Sequence, residues 1–266
     1  MAIFSSITSI EKLLPLLLFD HSRQSNILLD DNTEITVQLI LKSPETFTRP
    51  RYLYPSDNKK IRCKKNAEVF TPSWMCNIQN NLIDGQWFGR KNVFNKESQK
   101  KWISNKDKIA FPKGKSWQDY IALKRLEICC GEAPYLASRY DSVTGQPISI
   151  SERIGLLDRK MRVINENANS KSEWEKSALI AYKSIYGYEK SGKNLLLARL
   201  NLFYSFIEYY SEHFNKTPRE TILSKILDVI SWNLWQMDGI NNDSIKSIKL
   251  MDWDKNKVVG FDSLFL

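Results

Sequence analysis

The chain of 266 residues contains few of the side chains that build metal centres or nucleophilic active sites. It has two histidines, His21 and His213, and four cysteines, none of which form a C-x-x-C pair. A zinc site needs several such ligands at short spacing, and a catalytic serine or cysteine is normally activated by a histidine. The sequence therefore predicts no metal site and argues against such a nucleophile, and we expect the adjacent Cys129 and Cys130 to be small buried thiols.

The sequence also lacks a long apolar run. The longest strongly apolar run near its start, Leu13 to Phe19, is seven residues long and is interrupted by Pro15. A helix needs about 20 apolar residues to cross a bilayer, and neither a basic leader nor a small-residue cleavage site accompanies this run. We therefore expect no membrane partner and a cytoplasmic location.

The composition is that of a folded, basic protein. Hydrophobic residues make up 42% of the chain and aromatic residues 12%, which excludes a disordered protein. Basic residues outnumber acidic ones by 39 to 30, so the formal charge is +9. Basic clusters with interleaved aromatic residues occur on nucleic-acid surfaces, but a solvated lysine-rich surface fits equally well. The candidate DNA-binding residues are Lys59, Lys60, Arg62, Lys64 and Lys65, within "KKIRCKK" (59–65).

Helical periodicity is clearest in the second half of the chain. "SISERIGLLDRKMRVIN" has Ser149 and Glu152 at capping-box spacing, and "SEWEKSALIAYKSI" has Ser172 and Glu175 at the same spacing. "NLLLARLNLFYSFIEYYSEHF" (194–214) predicts a long helix with one apolar seam. Before residue 61 the pattern of "EITVQLIL" (34–41) favours a strand, and for 61–120 we expect loops and short helices.

Short apolar runs alternate with these helices and predict buried strands. They are "LEICC" (126–130), "SIYGY" (184–188) and "WNLWQM" (232–237). Strands that alternate with helices predict a parallel sheet, and ligands of such sheets bind beyond the carboxyl ends of the strands. The runs are followed by Gly131, Glu189 and Asp238, so a cofactor crevice is predicted there.

Four segments, in this order, resemble the adenine-N6 DNA methyltransferases of bacterial restriction–modification systems, in particular the restriction endonuclease subunit M group. They are "EVFTPSWMCN" (68–77), "LEICCGEAPYLASRYD" (126–141), "IYGYEKSGKNLLLARLNL" (185–202) and "NLWQMDGI" (233–240). The second is similar to the family's cofactor turn, D-P-A-C-G-[ST]-G-x-[FL]-L. "RIGLLDRKMRVINEN" (153–167) also looks characteristic of the subunit M group, although the sequence suggests no role for Asp158 or Arg159.

The resemblance implies an α/β fold with a Rossmann-like S-adenosylmethionine-binding core at 117–266, incomplete at its C-terminal side. An N-terminal region, 1–116, would supply the F-T-P segment and a basic surface facing double-stranded DNA. The residues expected to bind S-adenosylmethionine are Phe70, Thr71 and Pro72 beside its methionine part, Glu127, Gly131 and Ala133 around the methionyl group, Glu189 at the ribose and Asp238 at the adenine.

The sequence departs from the family at the catalytic step. Family members hold a flipped adenine with [DNS]-P-P-[YFW], whereas the nine prolines of this chain are all separated from one another. "FDSLF" (261–265) stands about where the catalytic strand would begin, and Lys190 replaces an apolar residue that packs on the cofactor's adenine. We therefore name no catalytic residue and expect methylation to need a second methyltransferase or restriction subunit.

Two other interpretations remain open. The basic segments 59–65 and 100–115 are also expected of an inactive methyltransferase-like component that binds DNA or takes part in restriction. A nuclease motif of the form P-D-(x)n-[DE]-x-K has no convincing match, the nearest segment being "DWDKNK" (252–257). The third interpretation is an α/β protein in which the motif matches arose by chance.

Overall fold

The computed structural model describes residues 7–57, 71–239 and 242–265. These residues mix α-helices with small β-sheets, which is compatible with the predicted α/β class. The 3₁₀ helices are Ile7–Leu13, Arg51–Leu53 and Ile150–Glu152. The α-helices are α1 (Leu14–Leu18), α2 (Val37–Lys42), α3 (Pro44–Thr48), α4 (Ser73–Phe88), α5 (Trp117–Ala122), α6 (Leu156–Asn167), α7 (Lys171–Lys183), α8 (Gly192–Phe214), α9 (Glu220–Asn233), α10 (Asn242–Ser247) and α11 (Phe261–Phe265).

The strands include the parallel sheet that the sequence predicts. They are β1 (Phe19–Asp20), β2 (Ser25–Asn26), β3 (Asn95–Ser98), β4 (Lys101–Ser104), β5 (Arg125–Glu127), β6 (Ile185–Glu189), β7 (Leu234–Gln236), β8 (Lys249–Asp252) and β9 (Lys257–Gly260). The parallel sheet has the order β5–β6–β7, with Leu126 opposite Tyr186 and Tyr188 opposite Trp235. The pairs β1–β2, β3–β4 and β8–β9 are antiparallel.

The two faces of the parallel sheet contact two different cores, because successive side chains of a strand point to opposite faces. Ile185 of β6 belongs to the main hydrophobic cluster, together with apolar residues of α7, α8 and α9. Tyr186 and Tyr188 belong to a second cluster with Trp235, against which residues 245–265 pack. With both faces covered, the ends of the strands are where functional side chains can gather.

The N-terminal residues pack into the main cluster with the helices of the second half. Arg199, fully buried in α8, donates hydrogen bonds to the carbonyl oxygens of Leu17 and Phe19 at 2.7 and 2.8 Å. Gln236, at the end of β7, accepts from the Leu28 backbone N–H at 2.7 Å and donates to the Leu28 carbonyl at 2.8 Å. The two predicted regions thus share one core, and the boundary between 116 and 117 stays a prediction.

The start of helix α6 is bound to residues that follow the candidate cofactor turn. Gly155 is its N-cap residue, and Asp158 Oδ2 accepts from the Gly155 N–H at 3.1 Å and from the Ser138 N–H at 2.7 Å. A Cβ on Gly155 would lie 2.3 Å from the carbonyl oxygen of Leu136, so this approach requires glycine. Asp158, which the sequence leaves without a role, therefore joins α6 to the residues after the turn.

Arg159, the next residue, is buried within a polar network. Its Nη1 donates to Asp84 Oδ2 at 2.7 Å, and its Nη2 donates to Asn77 Oδ1 at 2.9 Å and to Asn81 Oδ1 at 2.7 Å. The side chains of Arg159 and Asp84 are each 1% exposed. Asp84, Asn77 and Asn81 all belong to α4, so Arg159 joins α6 to α4. This gives the segment 153–167 a structural role.

Both predicted capping boxes are wrong. Ser149 precedes a 3₁₀ helix and makes no side-chain cap, because the chain turns again before α6 begins. The cap predicted at Ser172 lies two residues earlier, at Ser170, whose Oγ accepts from the Glu173 N–H at 3.2 Å. Both serines have a glutamate three residues later, so the spacing alone does not select the helix start.

Two predictions about the first half are also wrong. The predicted strand 34–41 overlaps helix α2 (Val37–Lys42), which is capped by Thr36 Oγ1 accepting from the Leu39 N–H at 3.2 Å. The region 61–120, expected to hold only short helices, contains the 16-residue α4. The buried face of α4 includes Asn77, Asn80 and Asp84, so apolar periodicity does not reveal it.

No helix among the described residues is both long enough and apolar enough to cross a bilayer. Within residues 7–57, 71–239 and 242–265, no three His, Cys, Asp or Glu side chains are grouped so that they could hold a metal ion.

Candidate functional site

The carboxyl ends of β5, β6 and β7 lie at one edge of the sheet, because the three strands are parallel. Strand β5 ends at Glu127 and β6 ends at Glu189, while Asp238 follows β7 by two residues. The turn that leaves β5, residues 128–135, passes beside the end of β6. The structure therefore brings together the residues that the sequence predicts for the methionyl group and the ribose.

The turn has a strained backbone. Cys129, Gly131 and Ala133 have φ values of 50°, 55° and 60°, all in the left-handed region. Glycine adopts this conformation freely, but for cysteine or alanine it costs on the order of 1–3 kcal/mol. Such conformations persist where surrounding contacts enforce them, and they concentrate at functional sites.

Hydrogen bonds to the neighbouring strand enforce this conformation. The Cys130 N–H donates to the Tyr188 carbonyl at 2.8 Å, and the Gly131 N–H donates to Glu189 Oε2 at 2.8 Å. Glu189 Oε1 also accepts from the Ser191 N–H at 2.9 Å, so this carboxylate joins the turn to the start of α8. Each carboxylate oxygen has two lone pairs, so Glu189 retains acceptor capacity for a ligand hydroxyl.

Glu127 is a buried carboxylate with few hydrogen-bond partners. It is 9% exposed, and its Oε1 lies 3.5 Å from the Tyr135 N–H. Its Oε2 is buried and has no hydrogen-bond partner among the described residues. Burial raises the pKa of Glu127 well above its usual range, and the nearby Glu189 carboxylate raises it further. A buried acceptor without a donor is unfavourable by about 1–3 kcal/mol, and a cationic ligand group would satisfy it.

The two adjacent cysteines differ in exposure. Cys130 is buried as expected, but Cys129 is exposed, so the prediction of two buried thiols is wrong for Cys129. Partial burial raises the pKa of the Cys129 thiol, and the negative charges of Glu189 and Asp238 raise it further. A raised pKa disfavours the reactive thiolate, so this environment does not activate a nucleophile. Ile128, beside it, is 64% exposed and offers apolar surface to a ligand.

The described part of the F-T-P segment lies next to the chain that follows the turn. The Thr71 carbonyl accepts from Ser142 Oγ at 2.6 Å, and the Ser73 N–H donates to Asp141 Oδ2 at 2.8 Å. Pro72 precedes the first residue of α4 and is its N-cap residue. Phe70 lies outside the described residues.

Arg51 was not predicted, and its guanidinium lies beside the glycine of the turn. Its Nη1 is 3.0 Å from the position that a Cβ on Gly131 would take. The Arg51 N–H donates to Glu132 Oε1 at 2.6 Å, and Tyr140 OH donates to Glu132 Oε2 at 2.6 Å. No sequence pattern indicates this residue, because 81 positions separate it from its partner Glu132.

Beyond the carboxyl end of β7, Asp238 forms an ion pair with Lys190. Lys190 Nζ lies 2.8 Å from Asp238 Oδ2, and hydrogen bonding to that carboxylate raises the pKa of Lys190. The Lys190 side chain is 76% exposed, so it can move away at small cost, since exposed pairs contribute about 0–1 kcal/mol. Asp238, which is predicted to contact the adenine, is thus bound by Lys190, the residue that departs from the family pattern.

The predicted DNA-binding residues Lys59, Lys60, Arg62, Lys64 and Lys65 lie outside the described residues. Among the described residues, exposed lysines occur on the β3–β4 hairpin and in the loop after it. They are Lys96, Lys100, Lys101, Lys106, Lys108, Lys113 and Lys115.

The residues at the sheet edge fit a ligand that carries a cationic group and a hydroxyl-bearing group. Glu127 can bind the cation, and Glu189 can accept from hydroxyls with its remaining lone pairs. Comparison with family models, with curated proteins and with solved structures finds no match to this chain.

Proposed function

We propose that this chain is the S-adenosylmethionine-binding part of an adenine-N6 DNA methyltransferase with a Rossmann-like core. The main support is Glu127 Oε2, which is buried and has no hydrogen-bond partner within the part of the chain that the structure describes. It lies beside a turn in which three residues have a left-handed backbone conformation. Glu189, at the end of the adjacent parallel strand, supports the same ligand position, because its carboxylate contacts Gly131. A parallel sheet with acids at consecutive strand ends is the arrangement in which nucleotide-like cofactors bind.

Each residue has a distinct role in this proposal. Ionised Glu127 would bind the α-ammonium group of the cofactor, and the backbone at Gly131 would approach its methionyl chain. Glu189 would accept from the ribose hydroxyls with its remaining lone pairs, and Asp238 would accept from the adenine amino group once Lys190 moves aside. The bound cofactor would supply a methyl group on a sulfonium centre.

Transfer of that methyl group is proposed to need a second subunit. The sequence has no adjacent prolines to form the family's adenine-binding motif. Residues 261–265, where the catalytic strand would begin, form helix α11 and pack on the second hydrophobic cluster. In this proposal the adenine acceptors lie outside residues 1–266 and are supplied by that second subunit, while residues 1–266 bind the cofactor.

Calorimetric titration with S-adenosylmethionine tests the cofactor site. We expect micromolar binding by the unmodified chain and weakening by about 10- to 150-fold in Glu127→Gln, because a charge-assisted hydrogen bond contributes about 1.5–3 kcal/mol. Glu45→Gln, at an exposed position on α3, is the matched control and should bind normally. Absence of binding at millimolar cofactor, or equal affinity in Glu127→Gln, would refute the proposal.

A second candidate function is DNA binding without catalysis. It is favoured by the exposed lysines of the β3–β4 hairpin, where Lys100 Nζ also lies 5.6 Å from the centre of the Trp74 ring. If duplex DNA binds there, affinity should fall steeply with salt. Replacing Lys96, Lys100 and Lys101 by glutamine should reduce the salt slope by about one for each phosphate that is no longer neutralised. A slope that is flat, or unchanged by the substitutions, would exclude this surface.

A further inference from the structure

Arg51 is a buried cation at the glycine of the candidate cofactor turn. It is 6% exposed and begins the 3₁₀ helix Arg51–Leu53. Its Nη1 is 3.0 Å from the point where a Cβ on Gly131 would lie. Any side chain larger than that of glycine would therefore press against the guanidinium, and Gly131 is what permits this approach.

The position of Arg51 is fixed by the turn itself. Glu132, the residue after Gly131, accepts from the Arg51 backbone N–H at 2.6 Å through Oε1. Its other oxygen accepts from Tyr140 OH at 2.6 Å, and its backbone carbonyl accepts from Asn201 Nδ2 at 2.9 Å. Glu132 is itself 4% exposed, so the 3₁₀ helix is anchored to the turn by buried hydrogen bonds.

The site thus contains two buried groups of opposite charge type beside the same turn. Glu127 has an oxygen without a donor among the described residues, and Arg51 presents a planar guanidinium at Gly131. Guanidinium groups bind carboxylates through two parallel hydrogen bonds, and they do so more strongly when they are shielded from water. An α-amino acid carries an ammonium and a carboxylate on one carbon, so it needs one partner of each kind.

We propose that Arg51 binds the α-carboxylate of the cofactor's methionyl group while Glu127 binds the α-ammonium. This inference rests on the proposed function, and it assigns to Arg51 a part in specificity. The site would select S-adenosylmethionine over adenosyl ligands that lack the carboxylate, because those ligands cannot form the ion pair with the guanidinium.

The test compares two ligands that differ only in the carboxylate. S-adenosylmethionine and its decarboxylated analogue both carry the sulfonium and the ammonium group. Calorimetry should show that the unmodified chain prefers S-adenosylmethionine by about 10- to 150-fold, as expected for a charge-assisted hydrogen bond. In Arg51→Met this preference should fall to about equal affinity, with binding of the decarboxylated analogue retained. Arg49→Met, at an exposed position two residues earlier, should keep the preference.

Arg51→Lys provides the second variant, and it carries the test if Arg51→Met does not fold. Lysine keeps the positive charge but cannot form the two parallel hydrogen bonds of a guanidinium, so the preference for S-adenosylmethionine over the decarboxylated analogue should be intermediate. A preference that is unchanged in the Arg51 variants, while S-adenosylmethionine still binds, would overturn the role of Arg51. Failure of the unmodified chain to bind either ligand would instead overturn the proposed function, so the two failures are distinguishable.

Discussion

Arg159 and Glu127 are both buried, but they differ in how many of their polar atoms have partners among the described residues. Among those residues, both terminal nitrogens of Arg159 donate hydrogen bonds and its Nε has no partner, whereas the one hydrogen bond of Glu127 is 3.5 Å long. Arg159 lies between α6 and α4, where it donates to Asp84 at 2.7 Å and to the side-chain oxygens of Asn77 and Asn81. Glu127 lies at the sheet edge, where one oxygen is 3.5 Å from a backbone N–H and the other lacks a partner among the described residues.

The difference distinguishes residues that hold the fold together from residues that a ligand could complete. A buried charge that is paired and hydrogen-bonded can contribute to a unique packing arrangement, and removing one partner is costly. A buried acceptor without a partner destabilises the fold unless something else compensates. The strained turn beside Glu127 adds a second local cost, and both costs occur at one sheet edge. Because unfavourable features of this kind concentrate at functional sites, we expect a bound ligand to compensate for them here.

The largest effect should follow the removal of Arg159. Arg159→Leu removes the 2.7 Å ion pair of buried Asp84, which keeps Tyr120 OH at 3.1 Å and Arg125 Nη2 at 3.6 Å. We expect this loss to lower the free energy of unfolding by about 3–5 kcal/mol. Urea unfolding followed by circular dichroism measures this change. Lys176→Leu, on the exposed side of α7, serves as the control and should change it by about 0.5 kcal/mol or less. A decrease below about 1 kcal/mol in Arg159→Leu would show that the network does not hold α6 to α4.

A much smaller effect should follow Glu127→Gln. Glutamine has nearly the same shape, and at about pH 4 the raised pKa keeps Glu127 uncharged in the folded state, so at that pH we expect the free energy of unfolding to change by less than about 1 kcal/mol. The same substitution should weaken cofactor binding, which separates ligand binding from stability at this position. A destabilisation close to that of Arg159→Leu would remove the contrast between the two regions.

Glu127 should also make the free energy of unfolding depend on pH. The folded state raises the pKa of Glu127, so folding favours the protonated carboxyl group. This favourable contribution to the free energy of unfolding is fully present below the unfolded pKa of about 4.3, and it is lost as the pH rises through the folded pKa. The unmodified chain should therefore gain stability relative to Glu127→Gln as the pH falls from about 7 to about 4. Urea midpoints measured at several pH values check this, and parallel profiles for the two proteins would contradict it.

The sequence predicts the sheet edge well because that information is local. Three apolar runs, each followed by an acid or a glycine, indicate parallel strands, and the carboxyl ends of parallel strands meet at one edge. Glu127, Glu189 and Gly131 are brought together in this way. The sequence does not reveal that Lys190 binds the carboxylate of Asp238, the residue predicted to contact the adenine.

The features that the sequence does not predict depend on distant partners or on polar burial. Arg51 is anchored to the turn by a hydrogen bond to Glu132, 81 positions later, and no local pattern encodes this contact. Helix α4 buries amides and a carboxylate, so hydrophobic periodicity does not reveal it. Helix α2 forms within a run of β-branched and apolar residues, because Thr36 caps it and Ile40 is fully buried in the main core. Tertiary contacts override local propensity there.

The contacts of Gln236 have a consequence for how the protein is made. Its side chain holds Leu28, 208 positions earlier, and its backbone N–H donates to Asp20, 216 positions earlier. At about 5–20 residues per second, a ribosome needs on the order of 10–40 s to synthesise the chain between these partners. Leu17 and Leu18, buried in the finished protein, remain uncovered during that interval, so the nascent chain should depend on chaperones until β7 has been synthesised.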